Sequence, residues 1–172
     1  MGEGRSKVNV SAQMRASKLS EGVISAISVG AFFILIGTIF VLAQPNSLWD
    51  SIVNFFSSFT VRSVPGTDIY LPAPSNTAVH GVLYTAAFQF CLGLGVLQIL
   101  LLMIRLAVRS PLSKTAETVG NLVFWFGAAY LIMLFLNAAP SLTQWFMFWA
   151  SLLIMLGLSF FARGMVLLPR RK

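Results

Sequence analysis

The sequence predicts an all-α integral membrane protein: a four-helix transmembrane bundle with an amphipathic interfacial helix in the first outer loop. Two observations lead to this fold class. Of the 172 residues, 57% are hydrophobic and 10% are charged, whereas an average soluble domain has roughly 45–50% apolar and roughly 25% charged residues. The mean hydropathy is +0.83, and the apolar residues are gathered into long runs. A single cysteine also excludes an internal disulfide framework.

Four uncharged stretches are long enough to cross a bilayer, whose core of about 30 Å requires about 20 helical residues. They are residues 23–43, 79–104, 119–139 and 142–162. The link at Pro140 is so short that the last two helices must form an antiparallel hairpin. A cleaved signal peptide is the alternative for the first stretch, but its 21 apolar residues exceed the roughly 7–15 of a signal core.

The basic residues indicate how the helices are oriented. With four crossings, residues 1–22, 105–118 and 163–172 lie on one side of the membrane, and they hold eleven of the twelve Lys and Arg residues. Only Arg62 lies on the other side. The positive-inside rule therefore predicts a cell-membrane protein with both termini in the cytoplasm.

The net charge of +7 is then a property of one membrane face. We expect this face to bind anionic lipid headgroups, and we do not expect nucleic acid as a partner. The residues expected to contact headgroups are Arg15, Lys18, Arg105, Arg109, Arg163, Arg170 and Arg171.

Residues 44–78 form the one long loop, on the outer side. A helix is predicted at about 47–59, with Ser47 and Asp50 as a capping box and Trp49 at headgroup level. A β-hairpin is possible at 60–71, where Pro65-Gly66 suits a type II turn. The loop is either a docking surface or a lid over the helix ends, and we favour the lid.

Small and polar residues within the spans are predicted to mediate helix packing, because close approach drives helix association in lipid. In the second span they recur at intervals of four residues. Gln89 is expected to donate or accept a hydrogen bond between helices. The positions predicted to pack are Ala26, Gly30, Gly37, Gly81, Thr85, Gln89, Gly93, Gly120, Gly127, Ala150 and Gly157.

The spans contain no Asp, Glu, Lys or Arg, and ion pathways and proton relays usually require such residues. A single histidine cannot supply paired haem ligands, and no nucleotide-binding or metal-ligand spacing is present. We therefore expect no cofactor and no metal site. An enzyme acting on lipid or quinone would have to rely on Asp50, Asp68 and His80.

These exclusions favour a non-enzymatic protein that serves as a small subunit, assembly factor or scaffold of a larger membrane complex. Its expected partners are membrane lipids and other membrane proteins or further copies of itself. The alternative is a carrier or channel for a neutral or lipid-like molecule. The residues that would line such a site are His80, Thr85, Gln89, Gln98 and Asn137.

Overall fold

The structure is a computed structural model that describes residues 3–137 and 139–168, with side chains from residue 21 onward except at 45 and 46. The described residues form five α-helices and one two-stranded sheet, joined in part by a short 3-10 helix at Thr77–Val79. In chain order the helices and strands are α1 (Glu3–Leu42), α2 (Pro45–Ser57), β1 (Phe59–Ser63), β2 (Tyr70–Pro74), α3 (Gly81–Ala107), α4 (Leu112–Phe135) and α5 (Leu142–Leu167).

Four of these helices are long and apolar enough to cross a membrane: the part of α1 at Glu21–Leu42, and α3, α4 and α5. Each overlaps one predicted stretch, but the bounds differ. The helix α4 begins at Leu112, before the predicted 119, and ends at Phe135, before the predicted 139. The segment 105–118, expected to be a loop, is mostly helical, because α3 continues to Ala107 and α4 begins at Leu112. Arg, Lys and Glu end an apolar run, but they are good helix formers and need not end a helix.

A tight turn joins α3 to α4 through residues 108–111. Arg109 has a φ of 52°, a left-handed conformation that glycine usually adopts at this position. The Ser110 amide donates to the Arg105 carbonyl at 2.9 Å, and the Arg109 amide donates to the Leu106 carbonyl at 3.3 Å. This pair of bonds is a Schellman motif, which satisfies carbonyls that the helix end would otherwise leave free.

The helices pack in sequence order, with α4 between α3 and α5 and with α1 against α3. The buried fraction of each helix depends on its position in this order. In the most apolar 18-residue window of each helix, 39% of the residues of α4 are buried but only 11% of those of α1. The predicted set of four packed helices is thus present, but α1 is peripheral to the other three.

The predicted capping box of the loop helix is wrong. The helix α2 begins at Pro45, two residues before Ser47, with Gln44 at the N-cap and no side-chain cap. Proline favours the first helical position because its φ is already helical and its missing N–H would have no partner there. Ser47 therefore lies inside the first turn, where its carbonyl accepts from the Ser51 hydroxyl at 2.7 Å.

The predicted hairpin is confirmed, and it is slightly longer than expected. Strands β1 and β2 pair antiparallel, from Phe59 opposite Pro74 to Ser63 opposite Tyr70. Gly66 has a φ of 80°, and the Thr67 amide donates to the Val64 carbonyl at 3.0 Å, as a type II turn at Pro65-Gly66 requires.

The loop covers the adjoining ends of α3, α4 and α5, which we call the hairpin end of the molecule. Ala73 and Pro74 at the base of β2 are buried. The buried Thr77 hydroxyl donates to the carbonyl of Pro140, in the link between α4 and α5. The strand residues 59–72 remain exposed, so only the base of the hairpin acts as the expected lid.

Candidate functional site

An aromatic cluster lies beneath the loop at the hairpin end. Phe55 of α2 is at its centre, with ring centroids 5.1 Å from His80, 5.9 Å from Trp145 and 6.5 Å from Tyr84. Phe59 adds a contact with Trp145 at 6.2 Å. The rings meet mostly edge to face, the arrangement that aromatic quadrupoles favour. The cluster therefore joins α2, α3 and α5 in one packed unit.

His80 is the one histidine of the chain, and only 4% of its surface is exposed. Its Nε2 lies 3.3 Å from the Ser58 hydroxyl oxygen, and that hydroxyl already donates to the Phe55 carbonyl at 2.8 Å. The Ser58 oxygen is thus free to accept, and the bond requires the tautomer with the proton on Nε2. Burial lowers the pKa of His80, so the ring is neutral at pH 7.

Asp50 and Asp68, the acids that an enzyme would need beside His80, are both exposed. Asp50 lies on α2 and Asp68 in the hairpin turn, whereas His80 is enclosed by the aromatic cluster. Among the described residues, neither carboxylate forms an ion pair with it. In this part of the chain, no group of three or more His, Cys, Asp or Glu side chains is placed to hold a metal ion.

Two polar atoms of the aromatic cluster lack partners. The Tyr84 hydroxyl and the Trp145 Nε1 are buried, and neither makes a hydrogen bond to any described residue. The side chains themselves are almost fully enclosed, with 5% and 3% of their residues' surfaces exposed. A buried donor without an acceptor costs about 1–3 kcal/mol, and most buried polar groups in folded proteins are paired.

A cleft of about 320 Å³ opens beside the cluster, between α3 and α4. Tyr84 and Thr85 of α3 form part of its wall, and Asn137, just beyond the end of α4, also lines it. The residues that line it are Gly81, Tyr84, Thr85, Phe88, Ile132, Met133, Leu136 and Asn137.

The structure thus brings together two of the five polar residues that the sequence proposed for a ligand site. Thr85 and Asn137 share the cleft, while His80 lies in the aromatic cluster. Gln89 and Gln98 do not line the cleft. Gln89 is exposed on the outer face of α3, and Gln98 is half-buried further along the same helix.

Three of the predicted packing glycines make close contacts between helices. A Cβ atom added at Gly93 would overlap Leu35 of α1, and one at Gly127 would overlap Met155 of α5. At Gly120 it would lie 3.1 Å from the Ser159 carbonyl oxygen. The Ser159 hydroxyl also donates to the Gly120 carbonyl at 2.7 Å, so α4 and α5 are joined by a buried hydrogen bond.

The other predicted packing positions have no such contact within the described chain. Nothing lies within 4 Å of the Cβ position at Gly30, Gly37, Gly81 or Gly157. Ala26, Thr85, Gln89 and Ala150 are exposed. Among the described residues, the predicted helix packing is therefore not seen at these positions.

One packing glycine was missed by the sequence analysis. A Cβ at Gly95 would lie 3.0 Å from the Phe126 ring, at the contact between α3 and α4. Gly95 falls outside the four-residue repeat that selected Gly81 and Gly93, so that repeat could not reveal it. Tyr84 and Trp145 were also missed, because an aromatic residue in an apolar run is typical of the core.

Arg105 lies between helices, although headgroup contact was expected of it. Its guanidinium donates to the Lys114 carbonyl and, at 2.5 Å, to the Thr118 hydroxyl of α4. Glu21 of α1 lies 4.0 Å away, and the two side chains are 15% and 22% exposed. The guanidinium is thus occupied mainly by protein groups and joins α1, α3 and α4.

Arg109 and Arg163 are exposed near the same end of the helices, which we call the basic end. Arg15 and Lys18 belong to the part of α1 whose side chains the structure does not describe, and Arg170 and Arg171 lie outside the described residues. Headgroup contact at these positions stays a prediction.

A comparison of the chain with family models, curated proteins and solved structures finds no match. The structure itself defines the class: a mostly helical protein with four helices long and apolar enough to cross a membrane. Its candidate site is the cleft between α3 and α4 together with the aromatic cluster beside it.

Proposed function

We propose that the chain is a multi-pass protein of the cell membrane that acts as a small subunit or scaffold by binding the transmembrane helix of a partner protein. Both termini lie in the cytoplasm in this proposal. The exposed Arg109 and Arg163 at the basic end support that orientation, because cytoplasmic loops are enriched in Arg and Lys.

The observation that carries the proposal is the exposed amide of Gln89. The residue lies about 12 Å along the axis of α3 from Gly81, at 1.5 Å per residue, which is too deep for a short side chain to reach the headgroups. The neighbours that share its face, Val96 and Ile99, are apolar and exposed. Hydrocarbon offers an amide neither a donor nor an acceptor, so its exposure to lipid is costly.

A partner helix with a polar side chain would satisfy this amide. Thr85 and Gly81 lie one and two turns closer to the hairpin end on the same face, and their small size permits close approach of a second backbone. This helix face, defined by Gly81, Thr85 and Gln89, is the docking face of the proposal. Intramembrane hydrogen bonds of this kind contribute about 0.6 kcal/mol on average, so the surrounding packing must supply most of the affinity.

The experiment places a photocrosslinking amino acid at Gln89 and, as a control, at Leu153 of α5 in native membranes. Leu153 is 70% exposed and lies about 16.5 Å along the axis of α5 from Leu142, at 1.5 Å per residue. We expect position 89 to crosslink in high yield to one protein species and position 153 to crosslink to lipid.

The variant Gln89→Leu completes the test. It should release the crosslinked species during purification while leaving the melting temperature of the chain unchanged, because the amide is exposed in the isolated chain. Lipid adducts alone at both positions would contradict the proposal. A crosslink between two copies of this chain would replace the heteromeric partner with a homo-oligomer.

A further inference from the structure

The cleft between α3 and α4 has the composition of a small-molecule site. Its walls are mainly apolar, with Phe88, Ile132 and Leu136 among them, and its polar groups are the side chains of Thr85 and Asn137. Its volume of about 320 Å³ is near the lower end of the range for ligand pockets, about 300–1,000 Å³. A single ring or a small headgroup fits this volume, whereas a whole lipid does not.

Tyr84 supplies the second, independent observation. The residue lines the cleft and is only 5% exposed, and its buried hydroxyl has no partner among the described residues. Trp145, whose ring centroid is 6.5 Å from that of Tyr84, has an unpartnered Nε1 as well. Both groups can donate a hydrogen bond. The tyrosine hydroxyl can also accept one, whereas the indole N–H cannot.

We propose that this cleft binds a neutral amphipathic molecule whose carbonyl or hydroxyl oxygen accepts a hydrogen bond from Tyr84. The lining contains no charged residue, and a charged ligand would lose its hydration without gaining a counterion. The apolar body of the molecule lies along Phe88 and Ile132, and its tail leaves through the open side between α3 and α4. The Thr85 hydroxyl and the Asn137 amide orient its polar end.

Two kinds of membrane molecule have this chemistry, namely an isoprenoid quinone and a neutral acylglycerol. Both combine a small polar group that accepts hydrogen bonds with a long apolar tail. The cleft shares Gly81 and Thr85 with the docking face, so a bound ligand and a partner helix would border each other. The binding test below uses the chain without a partner protein, so its outcome does not depend on the partner that Gln89 binds.

The test uses the full chain in phosphatidylcholine nanodiscs with two probes, decyl-benzoquinone and dioctanoylglycerol. The variant Tyr84→Phe removes the hydroxyl and keeps the ring. Tyr130→Phe is the matched control, because Tyr130 lies on α4, is 55% exposed and does not line the cleft. Binding is measured as a saturable shift in melting temperature and by titration of each probe.

We expect one of the two probes to bind saturably and to raise the melting temperature. Tyr84→Phe should weaken that binding by about tenfold, the loss expected for one hydrogen bond to a buried donor, while Tyr130→Phe leaves it unchanged. Without a probe, Tyr84→Phe should melt no lower than the natural protein, because it removes an unpartnered hydroxyl.

A second variant tests whether the probe binds in the cleft itself. Met133→Trp fills the mouth of the cleft from α4, where Met133 is 49% exposed, and it should abolish binding in a protein that still melts cooperatively. The probe that binds identifies the ligand as quinone-like or glycerol-like. Failure of both probes to bind saturably, or equal binding by the Tyr84→Phe and Tyr130→Phe variants, would overturn the proposal.

Discussion

The contact between α4 and α5 at Gly120 provides a quantitative test of the packing. In Gly120→Leu, the first added carbon would lie 3.1 Å from the Ser159 carbonyl oxygen and 3.3 Å from the Arg163 Cβ. Both distances are shorter than ordinary van der Waals contact, and the remaining three carbons must enter the same interface. The two helices therefore have to separate.

The expected loss of stability is the sum of three effects. Overpacking of a close contact costs about 1–3 kcal/mol, and loss of the hydrogen bond between Ser159 and Gly120 costs about 0.6 kcal/mol. Replacing a helical glycine with leucine stabilises the helix by about 1 kcal/mol, because glycine has a low helix propensity. We expect a net decrease in the free energy of unfolding of about 0.6–2.6 kcal/mol, measured by reversible denaturation with SDS in mixed micelles.

Gly157→Leu is the matched control, because Gly157 lies two residues from Ser159 but nothing is within 4 Å of its Cβ position. This variant gains the same helix propensity without the steric conflict, so it should be as stable as the natural protein or more stable. Equal losses in the two variants would refute the assignment of Gly120 to the interface between α4 and α5.

Two further predictions follow from α3 and its N-cap. Gly93→Leu should lower the melting temperature in detergent because it displaces Leu35 of α1, whereas Val96→Leu, at a position 47% exposed, should leave it nearly unchanged; the reverse order would contradict the placement of α1. The pKa of His80 is lowered in the folded state, so the unfolded chain binds its proton first as the pH falls. Stability should therefore be full above the ordinary histidine pKa of about 6.5 and should decline below it, and His80→Gln should remove this part of the pH dependence. An unchanged pH profile in His80→Gln would show that other groups cause the decline.

The sequence was sufficient to locate the long helices, because a charge-free run of the required length has few other structures available to it. It was less informative about where helices begin. The motif Ser-x-x-Asp at Ser47 predicted a cap that Pro45 displaces, while Ser141 and Gln144 form a real capping box at α5. Both are short polar motifs beside a proline, but Pro45 is the first residue of α2, whereas Pro140 precedes the N-cap of α5.

The inward faces of the helices were harder to predict. In water, apolar periodicity identifies the buried face, but lipid tails are as apolar as leucine, so that signal is lost in a membrane helix. Small residues replace it only in part: Gly93 and Gly120 are at contacts, and Gly30 and Gly157 are not. The cleft depends on which residues of α3 face α4, so its composition could not be read from either helix alone.

The peripheral position of α1 has a consequence for biosynthesis. α1 is translated before α3, yet its main contacts are with that helix: Phe32 against Phe90 at 5.9 Å, Leu35 beside Gly93, and Glu21 near Arg105. It must therefore remain unassembled until α3 has emerged from the ribosome. The helices α3, α4 and α5 make most of their contacts with one another, so we expect α1 to pack onto a surface that these three helices have already formed. On that surface, the Arg105 guanidinium is the group that pairs with Glu21 of α1.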